Sequence, residues 1–370
     1  MAKITQVISD SNLGGAGVLV CHVCEALRDE FDFTLMLPRG SALLSRVPKG
    51  VRVRELPMAR ERSFRASDVE LFRKEFHGQR PDLVHTHATL SARIGARLCG
   101  IRPILSTRHC SHVSEQKPSY LYRKVYNTVT DYTVSTAEFA KKNLTYEGVP
   151  KEKIFVIYNG SPRSPKASPQ QKEAQRRALG IPAHAAVLGS VARLEVVKGQ
   201  DLMIEALGRL CRLEDVPEVH LVLVGTGRAE EAYRTLAREL GLGERVHFTG
   251  FCEHPHIYQN VFDINLNASR GTETSCLATS ECMSLGIPTI ASDFGGNPEM
   301  IRHGENGLLF SRESVCELSQ AIASLLRDPL LYLRLGDGAL RVYEERFSLS
   351  HMANAYRALY RQLLTEGALR

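Results

Sequence analysis

Short apolar runs alternate with longer amphipathic stretches along the whole chain. Such runs, bounded by turn residues and spaced by helical periodicity, are the pattern of βαβ units on a parallel sheet. In the first half the pattern predicts strands over 3–9, 31–37, 51–56, 83–86, 103–106, 132–135 and 154–158. Between the first two, Leu19, Val23, Ala26 and Leu27 recur at helical spacing and predict a helix over about 16–29. The ten residues from Gly160 to Pro169 contain three prolines and three serines, which break any period and read as a surface connection between domains. The rhythm then restarts, with strands predicted over 186–191, 219–224, 246–248, 263–266 and 288–291. Helices are predicted over 171–179, 199–211, 229–240 and 278–285, and the end reads as all helix, over 314–326, 329–346 and 349–364. The organisation expected is a first domain over 1–165, a second over 166–348 and a final helical segment over 349–370. In doubly wound domains ligands sit at the carboxyl ends of the strands, so the loops after the strands are where chemistry is sought.

Composition narrows the class. Of 370 residues, 43% are hydrophobic and 24% charged, which suits folded globular domains and excludes a disordered chain. No run of 18 apolar residues appears, and the first ten residues read as a buried strand with no signal segment before them. A cytoplasmic protein is therefore expected. Nine scattered cysteines argue against a disulfide framework and read as small buried hydrophobes in a reducing compartment. Cys21-His22-Val23-Cys24 has no second pair and reads as packing within a helix. Charge is uneven. Residues 1–160 hold 24 basic and 16 acidic side chains and the remainder 23 and 25, while 91–130 alone has seven basic and one acidic. A positive face attracts phosphate, nucleic acid or an acidic membrane surface; a solvated face with a chance excess is the bland alternative.

Several loops suit phosphate. The first strand runs into Ser11-Asn-Leu-Gly14-Gly15-Ala-Gly17, a glycine turn whose backbone N–H groups point out at the positive end of a helix. It is not G-x-G-x-x-G, so a nicotinamide cofactor is not favoured. Arg193 and Lys198 flank the junction after the strand over 186–191, a planar fork and a point charge that together suit a diphosphate. Gly225-Thr226-Gly227 opens the next helix and reads either as an approach to a base or ribose or as packing. Glu273 and Glu281 straddle the start of the helix over 278–285, with Glu281 expected on its first turn. Carboxylates accept from paired hydroxyls and so suit ribose and sugar. The N–H groups of Ser275, Cys276, Leu277 and Ala278 offer a phosphate site.

Glu273, seven intervening residues and Glu281, followed by Gly286-Ile287-Pro288 and Gly295-Gly296-Asn297-Pro298-Glu299, resembles the nucleotide-sugar motif of family 4 glycosyltransferases. The resemblance covers almost the whole chain. Gly14-Gly15 resembles the family's first glycine loop, and Pro81-Asp-Leu-Val-His85-Thr-His87 and Ser106-Thr-Arg-His109 resemble its two histidine-bearing strand ends. Asn159-Gly160 resembles the turn closing the first domain, Arg193 and Lys198 match the diphosphate pair, and Arg346-Phe347-Ser348 leads a last helix carrying Tyr356 and Tyr360. The resemblance implies an α/β fold of the GT-B class: two Rossmann-like doubly wound domains facing each other across a cleft, with a C-terminal helix crossing back to the first.

It implies a donor site of Gly14, Gly15, Arg193, Lys198, Glu273, Ser275, Cys276, Leu277 and Glu281. Glu281 would hold the ribose and Glu273 the donor sugar. His109, Glu273, Arg193 and Lys198 would be catalytic. One departure stands out: where the family has a Gly-Phe-Gly-like stretch after the first glutamate, this chain has Thr274-Ser275-Cys276, which restricts positive φ and adds bulk beside the sugar. The reaction implied is transfer of a hexosyl group from a nucleoside diphosphate sugar to a hydroxyl acceptor with retention of configuration. Cations and helix dipoles meet the diphosphate charge, so no metal or other cofactor is called for. A sugar or lipid-linked glycan acceptor, as in bacterial-type cell-envelope glycan or glycolipid synthesis, fits the basic stretch and its interleaved aromatics over 117–126, which suit peripheral contact with an anionic inner membrane face.

His85, His87, His109 and His112 raise the question of zinc, but no cysteine or carboxylate cluster of fixed spacing joins them. His109 is read as facing the donor sugar or acceptor, and His87 as a core histidine. The main alternative is a GT-B sugar-nucleotide epimerase or hydrolase. A non-catalytic sugar-nucleotide binder is opposed by the intact Arg193, Lys198, Glu273 and Glu281, and a nucleic-acid-binding protein is not expected because no such motif is present.

Overall fold

A computed structural model of the protein describes residues 1–109 and 118–368, the last two as backbone alone. The chain divides into two compact units: Met1–Ser161 with Leu349–Arg370, and Pro162–Ser348.

The first unit carries a seven-stranded, all-parallel sheet. Its strands are β1 (Ala2–Ile8), β2 (Phe31–Pro38), β3 (Arg52–Leu56), β4 (Leu83–His87), β5 (Ile104–Arg108), β6 (Tyr132–Ser135) and β7 (Ile154–Val156), in the order β3-β2-β1-β4-β5-β6-β7. β4 is buried throughout and β1 from Ile4 to Ile8, polar side chains included, as expected where helices cover both faces of a parallel sheet. The helix Gly15–Leu27 follows β1 as its periodicity predicts. Periodicity gives no bounds for any other helix in this half. The structure adds Ala66–Gln79, Leu90–Leu98, Tyr120–Val129 and Glu138–Tyr146. Leu90–Leu98 buries Ser91, Arg93 and Gly95 beside its alanines, so small and polar side chains on the buried face mute its apolar period.

The second unit holds β8 (Ala186–Val191), β9 (Val219–Val224), β10 (Val246–Gly250), β11 (Ile264–Asn267), β12 (Thr289–Ser292) and β13 (Gly307–Phe310) in the order β10-β9-β8-β11-β12-β13, again all parallel. β13 was not anticipated; four residues, Gly-Leu-Leu-Phe, are too short to show a period. Its main core gathers Leu188, Ile204, Leu207, Leu221, Leu223, Ile264, Ile290 and Ile322. The predicted helix over 329–346 is α-helical only to Val342; Tyr343–Phe347 winds into a wider π turn.

In each sheet strand order reverses at one point, between β1 and β4 and between β8 and β11. There the crossovers leave to opposite sides and open a crevice at the carboxyl ends. The candidate residues follow these strands, except His109, which follows β5.

The proline-rich segment is not a free linker. Ser164 N–H donates to Ser284 Oγ (3.0 Å), Ala167 N–H to Asn260 Oδ1 (2.8 Å), and Asn260 Nδ2 to the Pro165 carbonyl (2.9 Å). These bonds hold the segment on the second unit, so the division falls at Ser161/Pro162 rather than after 165. The chain re-enters the first unit where it left: Leu349 N–H donates to the Ser161 carbonyl at 2.8 Å. The helix Leu349–Ala368 then packs on Gly15–Leu27, burying Met352, Tyr356, Leu359, Tyr360 and Leu363. Arg357 and Arg361 both pair with Glu30 and fix the docked helix at its solvent edge.

Candidate functional site

The loop after β8 and the loop after β11 are built against one another in the second unit. Gly199 stands at φ +70°, and a Cβ there would lie 2.2 Å from the Ala268 carbonyl oxygen, so only glycine lets the backbones meet. Arg270 N–H donates to the Val197 carbonyl at 2.9 Å and closes the seam. The result is an ion pair between a half-buried ammonium and a buried carboxylate: Lys198 Nζ lies 2.8 Å from Glu273 Oε2. Ser269 Oγ donates to the same oxygen at 2.6 Å. Glu273 Oε1 accepts no hydrogen bond from the described residues and is not sealed from solvent. Burial works against the Lys198 charge, but the neighbouring Glu273 carboxylate, with Cys276, more than offsets it and holds the ammonium above its ordinary value. Arg193 is exposed and, among the described residues, makes no ion pair.

Gly225-Thr226-Gly227 is packing. Leu194 N–H donates to the Thr226 carbonyl (2.9 Å) and Ala229 N–H to the Leu194 carbonyl (3.0 Å), so this turn braces the Arg193 loop. The loop over 273–276 rests on Gly295-Gly296: Gly296 N–H donates to the Glu273 carbonyl at 3.1 Å, and a Cβ on Gly296 would meet the Thr274 oxygen at 2.1 Å. Thr274, Ser275 and Cys276 are not among the residues with positive φ, so replacing glycine here stores no backbone strain. Thr274 and Ser275 are buried, and Cys276 is half-buried with its thiol pushed up to about 11 by burial and by Glu273.

The helix after this loop is Leu277–Ser284. Cys276 caps it without a side-chain hydrogen bond, which leaves the amides of Leu277 and the following residues at a positive dipole end. Glu281 lies on its second turn rather than its first. Gln259 Nε2 donates to Glu281 Oε2 at 2.8 Å, and burial raises the carboxyl above its usual range against that hydrogen bond. A buried polar chain stands behind the loop: Ser292 Oγ donates to the Ser269 carbonyl, Asn297 Nδ2 to Ser292 Oγ, and Asn267 Nδ2 to Asn297 Oδ1. Sequence reasoning missed Ser269 and Gln259, because neither stands in a recognisable motif.

In the first unit Gly14 is the cap of Gly15–Leu27, again without a side-chain hydrogen bond, so the amides at Gly15 and beyond have no side-chain acceptor. His109 follows β5 and pairs with His87 at 2.7 Å between Nε2 and Nδ1. Among the described residues no group of three His, Cys, Asp or Glu side chains is placed to hold a metal ion; His85, His87 and His109 are instead hydrogen-bonded. His112, Cys110 and Lys117 lie outside the described residues. A cavity of about 620 Å³ lined by His77, Arg80, Cys99 and Arg102 lies at the amino ends of β1, β4 and β5, away from every candidate residue.

The basic stretch is less available than its composition suggests. Arg93 is buried, donating to Thr130 at 2.8 Å and lying over the Tyr126 ring. Arg97 and Arg102 pair with Asp131, and Arg108 with Glu147. Of its cations only Lys124 is exposed and unpaired among the described residues. Beside it Tyr120 and Leu121 are 71% and 69% exposed.

Two family models match in tandem: Glycosyltransferase Family 4 over 13–162 and Glycosyl transferases group 1 over 171–342. EpsD of Bacillus subtilis (strain 168), provisionally named a glycosyltransferase, is 31% identical over 296 residues, covering 75% of this chain and 76% of its own. The chain belongs to glycosyltransferase family 4. The D-inositol 3-phosphate glycosyltransferase of Corynebacterium efficiens is 28% identical over 313 residues, covering 77% and 72% of the two chains. Anabaena HepE, solved with UDP and glucose, superposes with a TM-score of 0.84 at 22% identity, over 98% of this chain and all of that one. The Thermosynechococcus elongatus sucrose-phosphate synthase gives 0.80 at 22%, over 99% and 100%. The fold is that of the GT-B glycosyltransferases. These relatives are named for transfer or synthesis, which does not favour the epimerase or hydrolase alternative.

Two outcomes follow for the glycosyltransferase. Lys198→Ala leaves Glu273 as a buried carboxylate without its cation, so it lowers stability by about 3 kcal/mol; a denaturant midpoint that does not move contradicts the pairing. Lys198→Arg keeps the charge and retains most of that stability. Glu281→Gln acts in the other direction. A carboxyl whose folded pKa is raised adds stability below its unfolded pKa and loses it as pH rises through the folded value, so at neutral pH the buried charge is a cost. The amide variant is expected to melt a few degrees higher than the parent at pH 7, with the gap closing as the medium becomes acidic enough to protonate Glu281. Parallel melting curves at both pH values contradict it.

Proposed function

We propose that this glycosyltransferase draws its sugar from a nucleoside diphosphate donor and transfers it, as a hexosyl group with retention, to a hydroxyl of a sugar or lipid-linked glycan in cell-envelope glycan or glycolipid synthesis. The observation that carries the reading is the Lys198–Glu273 pair beside a helix start without a side-chain cap, with Arg193 making no ion pair among the described residues. Such a group meets a diphosphate with fixed positive charge and presents Glu273 Oε1 to a sugar hydroxyl. Gln259 orients Glu281 toward the ribose. HepE, bound to UDP and to UDP-glucose in its crystal structures, supports the donor class.

In the reaction the acceptor oxygen forms a bond to the anomeric carbon as the bond from that carbon to the diphosphate oxygen breaks. The acceptor proton passes to the departing phosphate oxygen. Arg193, Lys198 and the amide of Leu277 at the helix start stabilise the charge that gathers there, each pre-aimed donor being worth about 10²–10³ in rate. His109 contacts a hydroxyl of the sugar or acceptor. The charge balance calls for no metal cofactor. The acceptor proton needs no separate base when the leaving phosphate receives it on the same face, which is the course that retains configuration.

The protein is proposed to work in the cytoplasm, at the inner face of the plasma membrane. No helix of the described residues is long and apolar enough to cross a membrane. With most of the nearby arginines paired internally, the contact rests on Tyr120, Leu121 and Tyr122 and is assisted by Lys124.

A thermal-shift series with UDP-, GDP- and ADP-sugars is expected to give one base with a clear upward shift, and proton NMR of the product an anomer matching the donor. No shift with any donor, or an inverted anomer, overturns the corresponding part. For the membrane, a Tyr120→Ser/Leu121→Ser variant should lose binding to anionic vesicles more than 0.5 M salt (roughly, a medium with a Debye length near 4 Å) weakens the parent. Equal binding by both proteins removes that contact.

A further inference from the structure

The loop that carries Glu273 is pinned by a closed ring of hydrogen bonds that starts and ends on one residue, Ser269. Ser269 N–H donates to Asn267 Oδ1 (3.3 Å), Asn267 Nδ2 to Asn297 Oδ1 (3.1 Å), Asn297 Nδ2 to Ser292 Oγ (3.1 Å), and Ser292 Oγ to the Ser269 carbonyl (2.5 Å). Asn267 ends β11, Ser292 ends β12, and Asn297 opens the short helix Asn297–Met300. All four residues are buried.

We propose that Asn297 and Ser292 are positioning residues that aim Glu273 at the donor sugar, acting through Ser269; this rests on the reading of Glu273 as the group that meets a sugar hydroxyl. Direction around the ring is set by the backbone at both ends. A backbone N–H only donates, so the Asn267 atom facing Ser269 N–H is the oxygen, and its NH₂ faces Asn297. Asn297 must then turn its oxygen to Asn267 and its NH₂ to Ser292. The Ser292 hydroxyl accepts from Asn297 and sends its one proton to the Ser269 carbonyl, which only accepts. Turning either amide over sets donor against donor, so a single arrangement satisfies all four bonds. With its N–H and C=O both held, Ser269 keeps its side chain for Glu273: Oγ donates at 2.6 Å to Oε2, the oxygen that also takes Lys198. Those two donors fix the rotation of the carboxylate and leave Oε1 for a ligand.

The ring also governs Glu273 through its main chain. Gly296 directly precedes Asn297, and its N–H donates to the Glu273 carbonyl at 3.1 Å. A Cβ on Gly295 would lie 2.6 Å from that same carbonyl oxygen, so the two strands of backbone are in direct contact. A displacement of Asn297 therefore moves the Glu273 backbone by way of Gly296 and its carboxylate by way of Ser292 and Ser269. Among the described residues no side chain of the ring hydrogen-bonds Arg193, Lys198 or Leu277. Loss of the ring is thus felt at the sugar end of a donor and spared at the diphosphate end.

Calorimetry on the full-length protein tests it, with UDP, GDP and ADP titrated first and then the glucose, mannose and N-acetylglucosamine nucleotides of the base that binds. Ser292→Ala removes the link between Asn297 and Ser269. Asn297→Asp keeps the shape of the side chain but cannot donate to Ser292, and it draws the Ser292 proton away from the Ser269 carbonyl. Each is expected to bind the sugar nucleotide about tenfold more weakly than the parent while binding the bare diphosphate equally well, with kcat lowered as well. Ser292→Thr retains the hydroxyl and should restore the affinity for the sugar nucleotide. Binding of the diphosphate shows at the same time that a variant is folded, so either variant alone suffices. A folded variant that holds the sugar nucleotide as tightly as the parent overturns the proposal. So does an equal fall for sugar nucleotide and diphosphate, which would make the ring a structural support and nothing more. A parent that binds no diphosphate defeats the proposed function, and this inference with it; a parent and variants that bind the sugar nucleotide alike defeat this inference alone.

Discussion

The second unit is organised around one charge pair. Lys198 and Glu273 come from loops 75 positions apart in sequence and meet at 2.8 Å with little solvent between them. Neither charge is tolerable there alone, since desolvating an isolated ion costs more than its contacts return. The surrounding details follow from that constraint. Gly199 lets two backbones touch, Arg270 closes the seam, Ser269 saturates one carboxylate oxygen, and the Ser292–Asn297–Asn267 chain holds the Ser269 loop from behind. Because one Glu273 oxygen is fully engaged and the other is not, the pair is both a structural fixture and a group with capacity to bind.

The first unit solves a related problem with neutral groups. Three imidazoles, an amide and two phenols lie in or beside the core and are linked by hydrogen bonds. Strand register brings Gln6, His85, His87 and Thr107 together, and the helix Leu349–Ala368 supplies the phenols. Charge is handled similarly along the basic stretch. Arg93 is covered by Tyr126, while Arg97 and Arg108 lie against carboxylates, so these three cations add little to a positive surface.

The chain's membership in family 4 and its GT-B fold fit the position of these groups at the carboxyl ends of β1, β4, β8 and β11, where strand order reverses in each sheet. The departure at Thr274-Ser275-Cys276 is accommodated without left-handed backbone, and the backbone of Glu273 and Thr274 lies directly against Gly295-Gly296.

By itself the sequence determined what local periodicity and loop chemistry can carry. The strands of both sheets except β13, the helix after β1, the position of Arg193, Lys198, Glu273 and Glu281 after strands, and the α/β class were all legible, because apolar runs, cations and acids at loop positions are local signals. Tertiary structure alone decided which of these groups touch. Spacing did not reveal that Lys198 and Glu273 neutralise each other, that Gly225 and Gly227 serve packing, that the proline segment is bonded to the second unit, or that Gln6 and Tyr360 share a hydrogen bond across 354 positions. The reason is physical: burial, desolvation and the matching of donors to acceptors are properties of three-dimensional neighbourhoods, and one residue's period along the chain holds no record of the partner it will meet.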